Sequence, residues 1–256
     1  MFNKTRNTIK NILENLSNGD KKINGFVPPI GYCLIKTFSK DKNIDISEFE
    51  FKPKVKNFLN SLNFYDENCE TEVDKILPIR NIPTQEGKEV DLITNEFGDL
   101  IKKFLGSGKE KLASNMIKMI GELLNNIAHH SGEIDKNNHN QAFIYDNYQS
   151  GQYFDKSNLI QIAIVDAGIG IFSSVRKKDK NIKTAKEAIK KAFEPHFTGG
   201  TILNSNGISN AGLGLTVTLE IIKKLKGDMF VGTKDYLYSY HGKKGEEMYE
   251  KIPTWK

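Results

Sequence analysis

The sequence predicts an α/β fold. Apolar residues recur repeatedly at helical spacing, and short strand-like runs are interleaved with them in the second half. The two kinds of segment lack the regular alternation that a wholly parallel sheet requires. At 256 residues the chain can hold two modest domains or one large one, and either can bury a core without staples. The clearest break, Gly106-Ser107-Gly108, divides it into segments 1–107 and 108–256.

Taken in order, Ile9, Ile12, Leu13 and Leu16 share one helical face, and Asn18-Gly19 is a stop signal. Pro28-Pro29 punctuates the chain before a short helical pattern from Ile30 to Phe38. Residues 43–51 (NIDISEFEF) have strand character. Val55, Phe58, Leu59 and Leu62 return to helical spacing after Pro53, and Pro78 and Pro83 bracket an extended piece. Val90, Ile93, Phe97, Ile101 and Phe104 predict a further helix. Beyond the glycine break, Leu112, Met116, Met119, Ile120, Leu123 and Ile127 fall on one face of a long helix. Strands are predicted around 141–148 and 159–165, a helix near 184–193, and a polar glycine-rich loop at 198–212. A helix over about 213–226 stops at Lys226-Gly227. Residues 228–252 read as two or three strands with a turn at Gly242 to Gly245. The sequence holds no internal repeat and no low-complexity block.

Composition narrows the function classes. Cys33 and Cys69 form no CxxC pair and have no histidines at metal spacing, so a reducing cytoplasm is the natural setting. The amphipathic start, MFNKTRNTIKNILENL, is not a signal peptide, and Leu159 to Phe172 is interrupted by Asp166 and too short to span a bilayer. No membrane role is expected. The net charge is +5, with lysines spread among acids along the chain. A solvated lysine-rich surface is therefore expected rather than a nucleic-acid face.

Three patterns carry chemistry. The first is Glu122-Leu-Leu-Asn125-Asn126-Ile-Ala-His129-His130 on the long helix. Glu122 and Asn126, at i and i+4, project from one face about one turn apart. An amide oxygen such as that of Asn126 can ligate magnesium, and a carboxylate one turn away can deprotonate an attacking hydroxyl or water. The plain alternative is a polar helix surface. The second is Asp166-Ala-Gly168-Ile-Gly170-Ile, after the apolar run Leu159 to Val165. An Asp at a strand end can accept a hydrogen bond from an exocyclic amine, and the glycines let backbone approach a flat ring. The alternative is an ordinary turn capped by Asp. The third is Gly212-Leu213-Gly214-Leu215, opening a helix after a glycine-rich loop. Amides at a helix N-terminus bind phosphate, whereas the alternative is a flexible linker. It fits neither the dinucleotide fingerprint nor a P-loop, since no Gly-Lys-Ser/Thr is present.

In this order the segments resemble the N box, the G1 box (DxGxG) and the G2 box (GxGL) of the GHKL ATPases, the gyrase, chaperone, histidine-kinase and mismatch-repair group. Phe193-Glu194-Pro195-His196-Phe197-Thr198 adds a stretch similar to the F box that precedes the ATP lid in histidine kinases. The resemblance covers roughly residues 108–235. It implies a Bergerat fold, a two-layer α/β sandwich with a mixed sheet, with ATP and magnesium as cofactors. It implies Glu122 as general base, Asn126 as magnesium ligand and Asp166 as the adenine-reading acid, with Gly168 and Gly170 beside the base. Gly212, Leu213, Gly214 and Leu215 match the lid hinge whose amides meet phosphates, and Thr198 stands at the lid's start. His130, four residues after Asn126, is similar to the His that often ends this box in anti-sigma-factor kinases.

Two departures shape the expectation. None of His129, His130, His139, His196 and His241 has the context of an H-box, which disfavours an autophosphorylating histidine kinase. The family's closing strand carries a Gly-Thr pair, and Pro253-Thr254-Trp255-Lys256 stands about where that strand would begin, so the last strand is expected to be degenerate or missing. Phe26-Val27-Pro28-Pro29-Ile30-Gly31 and Phe58 to Phe64 look like the N-terminal part of bacterial proteins that join a STAS-like region to a GHKL ATPase. That resemblance implies a small α/β regulatory module in 1–107; the alternative is a helical cap on the core. The expected function is an anti-sigma-type protein serine/threonine kinase using Mg-ATP. The alternatives are an ATP-hydrolysing conformational switch and a nucleotide-sensing scaffold without turnover. The expected partner is a regulatory protein, with a homodimer also compatible.

Overall fold

The structure, a computed structural model, describes residues 2–24, 27–60, 62, 64–65, 76–82, 88–130, 148–154, 159–195, 197 and 214–254. The chain forms two units, residues 7–168 and residues 1–6 with 169–256.

In the first unit the amphipathic stripe becomes α1 (Phe2–Ser17), with Ile9, Ile12, Leu13 and Leu16 buried. After β1 (Lys22–Ile23), Pro28 is extended and Pro29 takes the first position of α2 (Pro29–Asp41), where a missing N–H costs nothing. Nearly the whole first three turns of α2 are buried. The run 43–51 departs from the expected strand. Asp45 caps a 3-10 turn, Ile46–Glu48, through a reciprocal box with Glu48, and Lys21 also pairs with Glu48. Only β2 (Glu50–Phe51) extends, pairing in parallel with β1. Local capping thus outcompetes the apolar pattern there. Then come α3 (Pro53–Asn60), β3 (Ile76–Asn81), α4 (Lys88–Leu105), α5 (Glu110–His130), β4 (Tyr148–Phe154) and β5 (Leu159–Val165).

Strands β3, β4 and β5 make an antiparallel sheet in that order, with α2 against β4 and β5 and α4 across all three. Gly151 is the point of closest approach: a Cβ there would lie 3.1 Å from Phe97 and Leu100 of α4. The expected strand at 141–148 falls almost wholly outside the described residues, and the strand found begins at Tyr148. The Gly106–Gly108 break joins α4 to α5, which lie antiparallel. Ile117 packs over Gly98 and Thr94 over Gly121, which fixes the register of that hairpin.

The second unit contains α6 (Gly170–Lys178), α7 (Ala185–Ala192), α8 (Gly214–Lys224) and the meander β6 (Asp228–Thr233), β7 (Tyr236–His241), β8 (Glu246–Lys251). Alternation sorts the meander's two faces. Met229, Val231, Tyr238, Tyr240 and Tyr249 pack with Ile189, Leu219 and Phe193. On the other face, Phe230, His241, Met248 and Glu250 meet Phe2 and Arg6. Among the described residues no helix is long and apolar enough to cross a membrane.

Candidate functional site

Helix α5 carries the first pattern. Ala113, Met116, Ile120 and Leu124 are buried, which leaves Glu122 exposed and Asn126 half-buried on a neighbouring face. The Gly98–Ile117 and Thr94–Gly121 contacts put Asn126 level with the first turn of α4, where Glu89 and Asp91 add carboxylates to the same end of the hairpin. His130 is the last residue of α5, and its side chain lies outside the described residues, as does that of His129.

The second pattern follows β5. Asp166 is half-buried, and its Oδ1 accepts a hydrogen bond from Gly168 N–H at 2.5 Å. The carboxylate therefore does cap its own turn. A Cβ on Gly168 would sit 2.6 Å from Asp166 Oδ1, so any side chain there would crowd the carboxylate. Gly170 has φ +71°, a left-handed conformation that opens α6.

Thr233 holds that opening, a role that sequence reasoning missed. Its buried Oγ1 accepts from Phe172 N–H at 3.4 Å and lies 3.1 Å from where a Gly170 Cβ would stand. No local signal could have identified it, because the contact spans 61 positions.

Of the third pattern, Gly212 and Leu213 lie outside the described residues, while Gly214 and Leu215 open α8. Leu215 packs into the core beside Ile189 and Tyr238. Thr216 Oγ1 donates to Phe193 carbonyl oxygen at 3.0 Å, tying this turn to the end of α7. In the F-box-like stretch, Phe193 stacks obliquely on Tyr238 at 4.8 Å and Phe197 packs with the α6–α7 core. Both rings thus serve the core. Thr198 and the expected loop at 198–212 lie outside the described residues.

Having no side chain, Gly168 does not crowd the Asp166 carboxylate, the one feature here that an adenine amine would require. Among the described residues no group of three or more His, Cys, Asp or Glu side chains could hold a metal. A magnesium ion on Asn126 would draw its remaining oxygen ligands from phosphate and water. No family model, no curated protein and no solved structure matches the chain.

Proposed function

We propose that this chain binds Mg-ATP through the GHKL motifs and passes the γ-phosphate to a Ser or Thr hydroxyl of a regulatory protein. The observation that carries the reading is the turn after β5, where Asp166 offers a half-buried carboxylate beside a glycine whose Cβ would crowd it. By the motif resemblance, Asp166 would accept the adenine amine. Glu122 is exposed on α5 one turn from Asn126, which suits a base that must reach a hydroxyl carried by another macromolecule. Magnesium, when bound at Asn126, would supply charge neutralisation for the phosphates. A cytoplasmic setting, rich in both ATP and magnesium, agrees with this reading.

Asp166→Asn tests the binding step. Loss of a hydrogen bond to a charged acceptor costs about 1.5–3 kcal/mol, so ATP affinity should fall about ten- to a hundredfold by calorimetry. Unchanged affinity would leave Asp166 as a turn cap only. Incubation with γ-labelled ATP and cell extract tests the transfer: label should appear on a protein. Released phosphate with no labelled protein would replace the kinase with an ATP-driven switch.

A further inference from the structure

Residues 176–191 hold eight Lys or Arg side chains against two acids, a net charge of +6 where the entire chain carries +5. The other residues together amount to −1, so the even mixing of lysines and acids breaks down here. Both acids are bound by backbone amides. Asp179 Oδ1 accepts from Asn181 N–H at 3.0 Å, and Glu187 Oε2 from Lys183 and Thr184 N–H at 2.8 and 3.0 Å. Lys191 pairs with Glu194 at 2.6 Å. Arg176, Lys180, Lys183, Lys186 and Lys190 are all exposed.

These cations stand on a firm base. The hairpin of α6 and α7 closes over Phe172, Val175, Ala185 and Ala188. Lys186 and Lys190, one turn apart, lie 5.5 and 5.4 Å from the centroid of the Tyr249 ring, and Arg176 lies 5.8 Å over Phe172. Cation–ring contacts of this kind restrain the charged ends on the surface, which lessens the ordering cost when a partner binds.

We propose that the α6–α7 surface docks an acidic polypeptide segment of a protein partner, one that presents several Asp or Glu side chains. Three observations favour a polypeptide over nucleic acid. The N-terminus of α7, where free amides would suit a phosphate, is closed by the Thr184–Glu187 box and its carboxylate. Tyr249, a ring within the patch, is half-buried and already faced by the ammonium groups of Lys186 and Lys190, so it offers no stacking platform. The patch is lysine-dominated, with Arg176 its single guanidinium, so it has few of the planar forks that grip phosphates in pairs, and its point charges suit separately placed carboxylates. Docking on this surface requires no bound nucleotide.

Fluorescence anisotropy on the full chain, without nucleotide, tests it. The probes are a labelled poly-glutamate peptide of about 20 residues and a DNA duplex of matching charge. The peptide should bind at low salt and weaken as ionic strength rises. Reversing Lys180, Lys183 and Lys186 together to Glu should cut peptide affinity at least about tenfold. Reversing the exposed Lys52, Lys54 and Lys56 makes the same net-charge change and should leave affinity within about twofold. A Lys180→Gln, Lys183→Gln, Lys186→Gln chain, folded by circular dichroism, keeps the comparison if the reversed one does not fold. Absence of peptide binding, equal losses from both sets of reversals, or tighter binding of the duplex would each overturn the proposal.

Discussion

At Gly170 the backbone adopts φ +71° with Thr233 Oγ1 3.1 Å from the position of a Cβ. A left-handed conformation costs an L-residue about 1–2 kcal/mol, and the crowded hydroxyl adds to that. Gly170→Ala should therefore lower unfolding stability by at least about 1 kcal/mol in urea titration. Thr233→Val keeps the shape but removes the acceptor for Phe172 N–H. That bond is long at 3.4 Å, so a loss near the low end of about 1–3 kcal/mol is expected. Stability unchanged in both variants would mean that Thr233 does not hold the α6 opening. Asp166 and its glycines were legible in the sequence because the motif is local. Thr233 was not, because its contact is made by folding alone.

The capping box of α7 makes a prediction for an element. Thr184 Oγ1 accepts from Glu187 N–H at 3.2 Å while Glu187 accepts in return from Thr184 N–H. Hydrogen bonds from the Lys183 and Thr184 amides hold the Glu187 carboxyl below its ordinary value of 4.5. A folded-state pKa below the unfolded one stabilises fully above the unfolded value and is lost as pH falls through the folded value. The melting temperature of the wild type should thus exceed that of Glu187→Gln at pH 6–7, and the gap should close as the pH drops below about 4.5. A gap independent of pH would place the effect elsewhere. Elements with a strong apolar stripe, α1, α4, α5 and α8, were readable from spacing because they bury one face on a neighbour. Helix α6 leaves little trace in the sequence: Gly170-Ile-Phe-Ser-Ser-Val is short, opens on glycine, and is started by Thr233 from a distant strand. Strand β4, Tyr-Gln-Ser-Gly-Gln-Tyr-Phe, is mostly polar and gave no apolar run. Over 43–51 the apolar residues suggest a strand, but the Asp45–Glu48 box wins and caps a 3-10 turn instead.

For the whole molecule, residues 1–6 belong with the C-terminal unit although they open α1. Phe2 is 5% exposed, stacked at 4.4 Å on His241 and 5.2 Å on Phe230. His241 is held in turn by Asp228 at 2.8 Å, and Arg6 reaches Glu250 at 3.4 Å. Phe2→Ala should destabilise the C-terminal unit by up to the roughly 3–5 kcal/mol of a core Phe→Ala, less where the first helical turn frays. Hydrogen exchange checks it. Protection should drop across β6 to β8 and persist in α4 and α5, whereas equal loss in both units would refute the assignment.

This contact also sets a timetable. Phe2 leaves the ribosome 228 residues before Phe230, so at about 5–20 residues per second it waits on the order of 10–45 s for its stacking partners. Through that interval an aromatic ring and an arginine at the head of an amphipathic helix stay uncovered on the nascent chain. The C-terminal sheet, for its part, closes one face with residues synthesised long before it, so that face is finished only after synthesis has reached β8. A chain stopped short of β6 would leave Phe2 without either aromatic partner and open to whatever apolar surface it met first.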